Sequence, residues 1–213
     1  MSSITAHPHE PPPERLRMSR EEYLAFEETA EVRHEFYKGE LFAMSGGTAA
    51  HSRLKVRLTS LLDQQTSRGG CQTFDSDMRA RRGLQYLHLP GCVCDLRQAC
   101  FENECRNSLL NPQAIFEVLS DSTEAYDRGE KFQHYLQLDS LRHYVLVSQS
   151  KRRVDCFTRD DDGNWRFHFA GGVGGVLDLQ MIGCRLALDE LYDGIELTPP
   201  AAAPLDQPQG QQE

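Results

Sequence analysis

Apolar residues along the chain fall into runs whose spacing switches between the helical and the extended period. Ser19 and Glu22 form a capping-box pattern, and Tyr23, Leu24 and Phe26 after them predict a short amphipathic helix. Segments 34–37 and 40–44 flank Lys38-Gly39 and predict two strands joined by a tight turn. Leu54, Leu58, Leu61 and Leu62 recur at helical spacing after Ser45-Gly46-Gly47-Thr48, predicting a long helix over 49–67 that ends at Gly69-Gly70. Segments 72–74, 78–81, 86–89 and 92–96 are strand-like. The clearest strand is 114–119, an apolar run bounded by Asn111-Pro112 and Ser120-Asp121.

Asp121 and Glu124 then make a capping-box variant that predicts a helix to about Leu138, and 143–148 returns as another apolar strand. Strand, helix and strand in that order suggest a βαβ crossover. Segments 153–158 and 165–170, separated by the acidic turn at Asp160, Asp161 and Asp162, predict a C-terminal edge hairpin, and 189–192 a short closing helix. The architecture expected is α/β: a mixed β-sheet flanked by helices, with an N-terminal helix and hairpin. The proline-rich 7–13 and the stretch 199–213 offer almost nothing to bury. One domain is therefore expected over 18–197, between disordered tails at 1–17 and 198–213.

Composition narrows what such a domain can do. The 213 residues carry 23 Lys and Arg against 32 Asp and Glu, a formal charge of −9. That is the wrong sign for coating phosphate backbones non-specifically, so any nucleic-acid contact has to be local. Arg53, Lys55 and Arg57, and Arg79, Arg81 and Arg82, are candidate phosphate contacts or simply solvated faces. No stretch approaches the roughly 20 apolar residues that cross a bilayer, and the first residues carry no signal core, so no membrane and a cytoplasmic address are expected. Seven cysteines are an odd count for a disulfide framework, and the spacing of Cys92, Cys94, Cys100 and Cys105 is not a common zinc pattern. The glycines at 171–175 lack the order of a phosphate-cradling loop.

Glu117 interrupts the apolar strand 114–119, where an ionised carboxylate is costly without a cation or several donors. On the helix that follows, Glu124, Asp127 and Lys131 share one side at helical spacing, so Lys131 can face the strand carboxylate. Two readings stay open on spacing alone: a chemical site, or a buried Glu117–Lys131 ion pair with a surface Asp127–Lys131 pair.

Several motifs in one order then go together: 34–41 (HEFYKGEL), Met44-Ser45-Gly46-Gly47, His51, 115–120 (IFEVLS), Ser122-Thr123, Asp127, Lys131 and Tyr135. In them the chain resembles the putative restriction endonuclease family, a bacterial branch of the PD-(D/E)xK nucleases formerly catalogued as a domain of unknown function. The resemblance spans about 18–197 and implies a restriction-endonuclease-like fold and a Mg2+-dependent endonuclease that hydrolyses DNA phosphodiester bonds. It implies Glu117 as a metal ligand, Lys131 as the cation that positions water or stabilises transition-state charge, and Glu35 as a further acidic ligand. His51 matches as well, as a cap of the turn or a phosphate contact. One position departs from the pattern: where the family has Pro-Asp, this chain has Pro90-Gly91, and Asp95 lies too far along the strand to substitute. A catalytically inactive nuclease fold that binds nucleic acid or a protein partner is thus the alternative. A homodimer is a further possibility, since two-fold assembly would let two sites address opposite strands.

Overall fold

A computed structural model describes residues 17–44, 47–82, 86–88, 90–96, 99–102 and 107–197. Apart from Arg17, the tails expected at 1–17 and 198–213 lie outside the described residues.

The first helix, α1 (Arg20–Thr29), carries both halves of the capping box: the Glu22 amide donates to Ser19 Oγ at 3.2 Å and the Ser19 amide to Glu22 Oε2 at 2.7 Å. Ser19→Ala is expected to cost about 1 kcal/mol, seen as a lower thermal midpoint; an unchanged midpoint would mean that the box does not anchor α1. Tyr23 stacks on Phe36 at 5.0 Å and so ties α1 to the hairpin of β1 (His34–Tyr37) and β2 (Glu40–Ala43). Lys38 and Gly39 turn that hairpin with φ of 48° and 89°, the left-handed pair that a two-residue turn requires.

Thr48 caps α2 (Ala49–Thr66), whose Leu54, Leu58 and Leu62 are fully buried on one stripe; Gly70, with a φ of 84°, lets the chain turn back into the sheet. There follow β3 (Cys71–Phe74), β4 (Arg79–Arg82), β5 (Tyr86–His88), β6 (Cys92–Leu96), β7 (Ser108–Leu109) and β8 (Ala114–Leu119). The expected single helix after β8 is two short ones, α3 (Glu124–Arg128) and α4 (Glu130–Tyr135), because Gly129 takes a non-helical backbone (φ −109°, ψ −102°). Nor does the expected cap form, for Thr123 precedes α3 without a side-chain cap bond. The chain ends in β9 (His143–Ser148), β10 (Arg153–Arg159), β11 (Trp165–Gly171), β12 (Val176–Leu179), β13 (Cys184–Ala187) and α5 (Leu188–Leu191).

These strands build the mixed sheet that the sequence predicts, flanked by helices, and beside it a second, smaller sheet. The larger runs β11-β10-β9-β8-β6-β3, with β8 and β9 parallel across α3 and α4 and every other pair antiparallel. The smaller runs β2-β1-β5-β4-β7, while β12 and β13 form a separate hairpin. Alternation along β8 sends Ala114, Phe116 and Val118 into a core with α2, β13 and α5. Ile115 and Leu119 enter a second core with Phe132, Tyr135 and Tyr144 beneath α4. Cys92 and Cys94 are buried in the first core as small apolar residues, and among the described residues no three His, Cys, Asp or Glu side chains form a ready metal cage.

Candidate active site

Glu117 lies on the face of β8 that carries Ile115 and Leu119, where β8 passes beneath α3 and α4. Alternation alone thus puts a carboxylate into the apolar layer, and Glu117 is only 5% exposed. The chain turns back over it at Ser120, and the kink at Gly129 leaves Lys131 in the first turn of α4. Lys131 Nζ is 2.9 Å from Glu117 Oε1, 2.9 Å from Glu35 Oε1 on β1 and 3.4 Å from Asp127 Oδ1. The i,i+4 spacing that joins Lys131 to Asp127 survives the break between the helices. Asp127, read from sequence as a surface partner, is buried at 3% exposure.

Other donors complete the setting. Tyr135, one helical turn beyond Lys131, donates to Glu117 Oε1 at 3.2 Å, and the Gly91 amide donates to Glu117 Oε2 at 3.3 Å. Position 91 therefore does stand beside Glu117, but it offers an N–H instead of a carboxylate. A Cβ at Gly91 would lie 3.0 Å from the Phe116 carbonyl oxygen, tighter than ordinary packing. Glu35 Oε2 is 3.4 Å from His88 Nδ1, and His88 Nε2 is 3.2 Å from His134 Nδ1.

Three carboxylates surround one ammonium, an excess of two negative charges if all are ionised. Burial and the repulsion of Asp127 and Glu35, against the pull of Lys131, push the Glu117 carboxyl up to about 8. Glu35 moves the other way: despite its burial, Lys131 and His88 hold it below the usual carboxylate range. Lys131, although burial works against its charge, is held well above its ordinary value by Glu117, Glu35 and Asp127. The two glutamates thus move in opposite directions, Glu117 towards its protonated form and Glu35 towards its ionised one.

The group opens on a cleft of about 560 Å³ whose charged lining includes Glu35, Glu117, Asp127 and Glu130 against Lys55 and Lys131. His51 also lines it, donating through Nε2 to the Val118 carbonyl at 3.0 Å, while the cap of α2 belongs to Thr48, whose Oγ1 accepts from the His51 amide at 3.1 Å. Burial and Lys55 lower the His51 pKa, which keeps its ring neutral. Two of the arginines read as phosphate contacts do other work: Arg79 is buried against Glu27 and Tyr23, and Arg81 pairs with Glu102. Among the described side chains of the two basic clusters, Lys55 lines the cleft.

The chain matches the Uma2 family, described as "Putative restriction endonuclease", over residues 20–189. It belongs to the Uma2 family. An uncharacterised protein of Synechocystis sp. (slr1290) is 34% identical over 190 residues, 88% of this chain and 97% of its own. A second (sll1609) is 32% identical over 146 residues, 68% of this chain and 82% of that one. At the level of fold, the crystal structure of a "putative nuclease belonging to DUF820" from Anabaena variabilis superposes with a TM-score of 0.68 at 14% identity, covering 82% of this chain and 97% of that one. No helix among the described residues of this Uma2 chain is long and apolar enough to cross a membrane.

Sequence reasoning put Glu117, Lys131 and Glu35 forward, and the Uma2 fold brings all three within one hydrogen-bonded group. It gave no role to Tyr135 and read Asp127 only as a surface partner of Lys131, although both stand in the motif, and it missed His88 and His134. The histidines had no local signal, because strand β5 and helix α4 meet only in three dimensions.

Proposed function

We propose that this chain is a Mg2+-dependent nuclease that hydrolyses DNA phosphodiester bonds within the cleft. The observation that supports this is the buried excess of negative charge around Lys131, open to solvent on one side. Burying carboxylates without matching cations is unfavourable for folding, and a divalent cation is the group that relieves it. Glu117, with Glu35 as second acidic oxygen, would hold the ion. When bound, such an ion polarises a phosphoryl oxygen and lowers the pKa of water. Lys131 has three N–H donors and three carboxylate partners, so it orients a water or meets the charge developing on phosphorus only by releasing one of them. His51 and Tyr135 fix the walls: one holds the Val118 carbonyl, the other holds Glu117.

Gly91 favours a second reading, in which the same fold binds nucleic acid or a protein partner without turnover. Here the site has a donor where the family pattern has a second carboxylate, and hard divalent ions lose affinity with each anionic oxygen removed. Plasmid cleavage across a Mg2+ series, in the parent and in Gly91→Asp, separates the two. Cleavage by the parent above a chelator control is the expected result; none in either protein leaves the binding reading. Gly91→Asp is expected to cleave faster while losing about 1–3 kcal/mol of metal-free stability, because the new Cβ forces β6 away from β8. Gly91→Ala isolates that steric part, without the charge.

A further inference from the structure

The outer strand of the larger sheet is built to be covered. In β11 the register Arg153↔Gly171 through Arg159↔Trp165 is unbroken, without bulge or proline. The Gly172 amide donates to the Arg152 carbonyl and the Asp160 amide to the Asn164 carbonyl, so backbone-bonded pairs fall at even positions of β11. Arg166, His168 and Ala170 therefore aim their backbone groups at β10, and Trp165, Phe167, Phe169 and Gly171 aim theirs outward. Solvent-facing edges normally carry charge, proline or a bulge. This one carries Arg166 on one face and aromatics on the other: Phe167 is 52% and Phe169 56% exposed. They continue the ring layer of Phe157, with Phe157–Phe167 centroids 5.2 Å apart and Phe167–Phe169 6.3 Å, and the Arg153 guanidinium lies 4.0 Å from the Phe169 ring.

We propose that β11 is a two-fold docking edge, occupied by β11 of a second copy of this chain running antiparallel to it. Phe167 is the centre of the aromatic triplet. With the axis there, Phe167 faces the partner's Phe167 and Trp165 faces the partner's Phe169, so the outward backbone groups pair and the rings form one ladder. Charge selects the same arrangement. The turn end of the hairpin has Asp160, Asp161 and Asp162, and the open end has Lys151, Arg152 and Arg153. Arg152 and Arg153 already pair with Asp189 and Asp155, and Arg166 with Asp160, which leaves Lys151, Asp161 and Asp162 as the exposed charges. Antiparallel docking brings the acidic turn of each copy towards the basic end of the other, twice; parallel docking sets like ends together. A heterologous strand has no reason to match both the ring order and the charge order.

The test is the mass of the full-length chain by sedimentation equilibrium, with a cysteine placed on the axis. The parent should sediment at twice 24.2 kDa. Phe167→Glu, which sets two carboxylates against each other, should raise the dimer dissociation constant on the order of 100-fold while leaving the far-ultraviolet circular dichroism unchanged. Paired residues at a hydrogen-bonded site have Cα atoms about 5.5 Å apart, within disulfide range. Phe167→Cys should therefore cross-link on mild oxidation, whereas Val173→Cys, more exposed at 86% but off the strand, should not. A monomeric parent, a dimer that survives Phe167→Glu, or no cross-link at Phe167→Cys would each overturn the proposal. So would a monomer that dimerises only after removal of residues 198–213, since that tail would then be the occupant.

Discussion

Lys131→Met is expected to lower stability by about 3–5 kcal/mol at neutral pH, because it leaves the buried Glu35 and Asp127 carboxylates, and the Glu117 carboxyl beside them, without their common cation. The size of this loss should depend on pH in a defined direction. Glu35 is held below its ordinary pKa, in part by Lys131, so its contribution to stability is present above the ordinary carboxylate range and is lost as pH falls through the folded value. The variant lacks the part of that contribution that Lys131 supplies and keeps the part from His88. The gap between parent and variant should thus be widest above about pH 5 and narrow on acidification. Urea titrations of both proteins at several pH values measure it, and a gap under about 1 kcal/mol at pH 7, the size of an exposed pair, would show that Lys131 does not neutralise the site.

Glu117→Gln should behave in the opposite way. Removing one partner of a buried ion pair normally destabilises, but here Lys131 keeps Glu35 and Asp127. The Glu117 carboxyl titrates near 8 in the fold against an ordinary 4.5. Between those values the unfolded chain has lost this proton and the folded chain retains it, so the parent loses stability as pH rises, by up to about 1.4 kcal/mol per unit. Glutamine has no such titration. The variant should therefore gain on the parent from pH 5 to pH 8, on the order of 2–4 kcal/mol in chelator. Saturating Mg2+ should raise the melting midpoint of the parent and not that of the variant. Cleavage in the variant should fall by at least ~100-fold. If Glu117→Gln were instead several kcal/mol less stable at pH 8, Glu117 would be an ionised structural partner of Lys131 rather than a group waiting for a cation.

Sequence made these residues visible for reasons that differ in kind. Strand β8 was legible because it is buried on both faces and therefore apolar throughout, and Glu117 stood out as its single charged interruption. Lys131 followed from helical spacing, which outlasted the break at Gly129. Glu35 had no local signal at all; its place across the ammonium is set by the packing of the smaller sheet on α4, and only the family motif pointed to it. Strands β12 and β13 were missed because the glycines at 171–175 carry no strand signal and the four-residue strands that follow alternate too briefly to register. Arg79 and Arg81 misled because a run of arginines looks the same whether it meets phosphate or, as here, the buried carboxylates of Glu27 and Glu102.

Gly91 has a consequence for how such a site changes over generations. With a Cβ there 3.0 Å from the Phe116 carbonyl oxygen, a side chain at position 91 requires that neighbour to give by a few tenths of an ångström. A change from glycine to aspartate therefore carries a local packing cost before its carboxylate becomes useful. Restoring the acidic residue therefore favours a lineage that first loosens the β6–β8 contact or gains stability elsewhere, and the order in which substitutions arise decides whether the path is open.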